Sequence, residues 1–121
     1  MSSLADKYRA DDGQRGLLQS AVALRATAEQ VVEQLGGGPV TLLARTDEAL
    51  MLAAAVAVLR EPATTVARAP IGRTGWEPSP EAVLLEVGRP SEGLVATVSA
   101  RYPAMRWHCA HVVERPLAGV A

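Results

Sequence analysis

The sequence predicts a small three-layer α/β domain with a largely parallel sheet, and three observations predict it. Short apolar runs with β-branched residues alternate with longer stretches of helix formers, the order of a βα repeat. Two of those runs lead within a few residues to groups suited to cap a helix, Thr46 or Asp47 after the first and Ser91 after the third. The 121 residues, 49% of them hydrophobic, suffice for one core and not for a second full domain.

Residues 1–12 read as a polar N-terminal segment, and residues 13–121 as the single α/β domain. Asp11-Asp12-Gly13 has the pattern of a turn and helix cap, without the spaced carboxylates of a calcium loop. Leu17, Ala21, Leu24, Ala28, Val31 and Leu35 recur at alternating spacings of four and three, one face of a helix that Gly36-Gly37-Gly38 stops. The stripe is too short and alanine-rich for a coiled-coil seam, so it is expected to pack on the sheet.

Pro39 leads into Val40–Ala44, a short apolar run expected to be a buried strand. From Asp47 to Leu59 the composition turns to alanine, leucine and methionine, which favour helix. Thr64–Arg68 has the β-branched content of a second strand. Ala69–Pro80, with three prolines, two glycines and Trp76, reads as a loop between two βα halves. Ala82–Val87 is the next strand, Glu92–Arg101 the next helix, and Met105–Val113 a final strand ending before Pro116.

Charge and cysteine usage exclude several function classes. Twelve basic residues nearly balance thirteen acidic ones without a run of one sign, so neither a nucleic acid nor a membrane surface is an expected partner. Cys109 is the only cysteine, which rules out an intramolecular disulfide and fits a reducing cytoplasm. The charged first dozen residues are unlike a secretory signal, and Ala49–Leu59 is too short an apolar run to span a bilayer. The expectation is a cytoplasmic protein.

In an open parallel sheet, ligands bind beyond the carboxyl ends of the strands, where strand order reverses. Two turns qualify, Arg45-Thr46-Asp47-Glu48 and Gly88-Arg89-Pro90-Ser91-Glu92-Gly93, each preceding a helix with free N–H groups. Arg45 and Arg89 can supply charge-assisted bonds, Thr46 and Ser91 a hydroxyl or a cap, and Gly93 close backbone approach. These five are the candidate ligand-binding residues. Asp47, Glu48 and Glu92 stabilise the helix starts but repel an incoming phosphate.

With these residues the chain resembles the type I phosphoribosyltransferases, the family of the orotate and purine salvage enzymes. Val83-Leu84-Leu85-Glu86 is similar to the family's central strand and Ser91-Glu92-Gly93 to its phosphate loop. Pro39–Val58 looks like its pyrophosphate loop and following helix, so the likeness runs from about Leu17 to Glu114. The resemblance implies a phosphoribosyltransferase-like fold, a dimer, and a nucleotide or small phosphorylated ligand. It departs at Val87-Gly88, which fall where the family carries two acids expected to contact the ribose hydroxyls. Ala69–Pro80 leaves little room for a catalytic flap, and no base-recognising hood is apparent. A degenerate member without phosphoribosyl transfer is therefore expected.

Trp107-His108-Cys109-Ala110-His111 gathers the only cysteine and both histidines. Strand alternation puts Cys109 and His111 on one face and His108 on the other. Two ligands do not make a zinc site, and a buried strand with satisfied histidines is the expected reading. Trp76 is expected to seal the core, with a partner contact as the alternative. Glu114-Arg115-Pro116 is expected to stop a strand. No metal, catalytic residue or cofactor is implied. The sequence thus favours a non-catalytic binding domain acting as a regulatory module or partner subunit. The alternatives are a small enzyme acting on a phosphorylated or carboxylated metabolite through residues 45–48 and 88–93, and an interaction protein assembled through one of its helices.

Overall fold

The computed structural model describes residues 21–113. They form three helices and four strands in the order α1 (Ala21–Leu35), β1 (Val40–Ala44), α2 (Asp47–Leu59), β2 (Thr64–Arg68), β3 (Ala82–Val87), α3 (Glu92–Arg101) and β4 (Arg106–Ala110). Every strand pair is parallel and the sheet order is β2-β1-β3-β4. The predicted three-layer α/β architecture with a parallel sheet is observed. Leu17, the Asp11-Asp12-Gly13 turn, the polar segment 1–12 and Glu114-Arg115-Pro116 lie outside the described residues.

The layers follow from strand alternation. Val40 and Leu42 of β1 and Val83 and Leu85 of β3 face one side, where Ala28 and Val31 of α1 and Leu52, Ala53 and Val56 of α2 complete a core. Leu43, Ala82 and Leu84 face the other side, against Val98, Tyr102 and Met105. Among the described residues, this second face has one helix, α3. The connection from β2 to β3 crosses β1 without a helix, and its loop supplies Ala69, Ile71 and Trp76 instead. Trp76 meets Tyr102 edge-to-face with ring centroids 5.0 Å apart, and the Gly72 N–H donates to Tyr102 Oη at 3.1 Å. Trp76 therefore seals the core, as its position in the sequence suggests.

At the amino edge of the sheet, Arg60 follows α2 and is buried. Its guanidinium donates to the carbonyls of Gly36 and Gly38 at 2.8 and 2.6 Å and to Thr64 Oγ1. One side chain thereby joins the glycine turn after α1 to the start of β2. Gly36 itself adopts φ +71°, the left-handed conformation in which a helix commonly ends on glycine.

The last strand is shorter than Met105–Val113. The Met105 N–H closes a turn on the Tyr102 carbonyl, and β4 runs only as far as Ala110 because β3 ends at Val87. The Val113 N–H leaves the sheet and donates to the buried Thr27 Oγ1 at 2.9 Å. The strand is also not buried as expected: it lies at the sheet edge, and only Ala110 is enclosed.

Candidate functional site

The strand order reverses between β1 and β3, since β1 leads outward to β2 and β3 outward to β4. The two turns singled out in the sequence follow these two central strands. Both end in a capped helix. Thr46 Oγ1 accepts from the Ala49 N–H at 3.2 Å, and Ser91 Oγ accepts from the Leu94 N–H at 3.1 Å. Each hydroxyl is thus held by the first turn of its own helix.

The arginines fare differently. Ala44 pairs with Leu85, so Arg45 follows beside Glu86, which in turn pairs with Cys109 of β4. Arg45, Glu86 and Cys109 form one lateral row on the α3 face. Arg45 grips Glu86 with two hydrogen bonds, Nε to Oε2 at 3.1 Å and Nη2 to Oε1 at 2.9 Å. The Glu86 side chain is 5% exposed and that of Arg45 37%, so a nearly buried carboxylate is neutralised by a guanidinium reaching in from solvent. Arg45 is therefore engaged within the protein. Arg89 is exposed and makes no hydrogen bond or ion pair to the described residues.

Beside α3 lies an open groove of about 960 Å³, lined by Arg89, Ser91, Glu92, Val95, Cys109 and His111 among others. The structure brings Arg89 and Ser91 together there and leaves Arg45 and Thr46 outside. Gly93 sits exposed in the first turn of α3 and is not among the residues that line the groove. Gly88, just before Arg89, turns the chain out of β3: it adopts φ +81°, and its N–H donates to the Ala110 carbonyl at 2.7 Å.

Alternation along β4 and into the residue after it is as the sequence predicts, with Cys109 and His111 on the groove side and His108 toward α1. There His108 Nε2–H donates to Gln34 Oε1 at 2.9 Å. Burial lowers the His108 pKa. Only one histidine is satisfied in this way, because His111 is exposed and unpaired to the described residues. The Cys109 pKa is raised, first by burial and then by the negative charge of Glu86. A thiol beside a carboxylate stays protonated at neutral pH and is a poor nucleophile. Among the described residues no three His, Cys, Asp or Glu side chains come together to hold a metal ion, and no helix is long and apolar enough to cross a membrane.

Glu86 and Arg60 are the residues that sequence reasoning passed over. Glu86 had a signal: one acid within Ala82–Val87, an otherwise aliphatic strand, must find a partner if the strand is buried. No protein-family model, curated protein or solved structure matches the chain.

Proposed function

We propose that the chain is a non-catalytic, phosphoribosyltransferase-like binding domain, a regulatory module or partner subunit, that takes a nucleotide or another small phosphorylated ligand at the strand ends. The supporting observation is the Arg45–Glu86 pair. Glu86 is the acid nearest the end of β3, and it is buried and clamped. Val87 and Gly88 beyond it have no side-chain oxygen to hold a ribose hydroxyl. Arg89 keeps its donors for an acidic ligand, and the groove beside it is open.

Isothermal titration with phosphoribosyl pyrophosphate and magnesium tests this reading. Saturable binding without pyrophosphate release in the presence of any nucleobase is the expected result. Base-dependent release would overturn it, as would an absence of binding by any phosphorylated ligand. One observation favours a second reading, a small enzyme for a phosphorylated or carboxylated metabolite acting through residues 45–48 and 88–93: Arg89 and Ser91 border one groove with His111. That reading requires turnover in a metabolite screen, abolished by Arg89→Ala at unchanged melting temperature.

A further inference from the structure

Among the described residues, nothing pairs with the outer edge of β2, and its side chains are half-buried or exposed. The Val40 N–H donates to the Ala63 carbonyl and the Ala69 N–H to the Ala44 carbonyl, so the odd-numbered residues of this stretch face β1. By the alternation of a parallel ladder, Thr64, Val66 and Arg68 direct their N–H and C=O groups outward. Among the described residues, no backbone hydrogen bond takes up these groups. Such an edge is a template for another strand.

The pattern of the edge is symmetric about Val66. An antiparallel pairing centred there sets Val66 against Val66 and Thr64 against Arg68, and every outward donor of one strand meets an outward acceptor of the other. Pro62 and Pro70 stand at equal distances from Val66 and have no N–H to leave unpaired where the ladder ends. The one charge in the strand, Arg68, faces a threonine and is already paired with Asp47 at 2.9 Å. A register shifted along the chain would place a proline where a donor is needed.

The helix above this edge fits the same symmetry. α2 buries Ala49, Leu52, Ala53 and Val56 against the sheet and shows Ala55, Val58 and Leu59 to the α1 side. At about 3.6 residues per turn, its opposite flank beside β2 carries Asp47, Leu50, Ala54 and Ala57, and the one charge, Asp47, is the partner of Arg68. α2 touches β2, β1 and β3, and β2 most closely. A two-fold axis through the paired Val66 residues and normal to the sheet sets the two α2 helices side by side on one face. Helices pack at about 8–10 Å, and small alanines permit the close end of that range.

We propose that β2 and the adjoining flank of α2 form an isologous interface with a second copy of this chain, giving a continuous sheet of order β4-β3-β1-β2-β2-β1-β3-β4. Edge pairing supplies the register, and the apolar helix flank supplies area that a five-residue ladder lacks.

Sedimentation equilibrium of the full chain tests the interface. Twice the chain mass at micromolar concentration is expected, and Ala54→Glu and Val66→Pro should each weaken the dimer at least about tenfold. In a Cys109→Ser background, Val66→Cys should form an intermolecular disulfide on mild oxidation, because paired Cα atoms of such a ladder lie about 5.5 Å apart. A monomer at all concentrations overturns the proposal. So does a dimer indifferent to Ala54→Glu that fails to cross-link, which would place assembly elsewhere. Should Val66→Pro not fold by circular dichroism, Ala54→Glu and the cross-link decide the matter.

Discussion

The turns after β1 and β3 have nearly the same chemistry in sequence and differ in the protein. Each offers an arginine, then a hydroxyl residue that caps the next helix, then acidic charge in its first turn, Asp47 and Glu48 in one and Glu92 in the other. Arg45 lies beside a strand that carries a carboxylate at the same level, and the two lock together. Arg89 extends past the end of β3 beside β4 and the residue after it, which offer Cys109 and His111 rather than an acid. The lesson is that a cation at a strand end is a ligand donor only if the neighbouring strand leaves it unpaired.

The largest effect expected from breaking this contrast is on Arg45→Ala. Removing the guanidinium strands a nearly buried carboxylate and should cost about 3 kcal/mol in urea unfolding. Glu86→Ala should cost less, about 1–2 kcal/mol, because the half-exposed Arg45 regains water. Arg89→Ala should leave stability within about 0.5 kcal/mol of the parent while abolishing ligand binding. Equal losses at Arg45 and Arg89 would erase the distinction between the two turns.

A smaller effect sharpens what the turns share. Thr46→Ala and Ser91→Ala should each lower stability by about 1 kcal/mol, as for loss of a helix cap. A much larger loss of binding than of stability on Ser91→Ala would instead assign its hydroxyl to the ligand.

The smallest effect concerns pH and the two faces of β4. His108 has a lowered pKa in the folded chain, so the unfolded chain takes up its proton first as pH falls. Its contribution is fully present above the ordinary imidazole value of 6.5 and is lost as pH falls from there through the folded value. Thermal melts at stepped pH should show this decline in the parent and a shallower one in His108→Gln. Identical profiles would mean that burial of His108 is without consequence.

Much of the fold was legible because local signals agreed. Asp47–Leu59 and Glu92–Arg101 were readable from a change in composition and from Thr46 and Ser91, whose caps the structure contains. Val40–Ala44 and Ala82–Val87 were readable as apolar runs because both are central strands, covered on two faces. Met105–Val113 was read too long since Val112 and Val113 continue the apolar pattern, whereas a strand lasts only while its neighbour does. Arg60 was not readable, because the carbonyls it binds lie 24 and 22 residues earlier in the chain. The candidate site was legible as a pair of turns and a cysteine–histidine face, but not as one occupied and one open arginine.

What the sequence by itself determined is whatever depends on neighbours along the chain: helix and strand positions, caps, the glycine stops and the alternation that separates His108 from Cys109 and His111. The tertiary structure alone decided which strands lie side by side. That choice set Glu86 against Arg45, left Arg89 open, put β4 at an edge and closed Trp76 onto Tyr102. The physical reason is that ion pairing and burial act over a few ångströms in space, and residues such as Arg45 and Glu86, 41 positions apart in the chain, become neighbours only when the strands register.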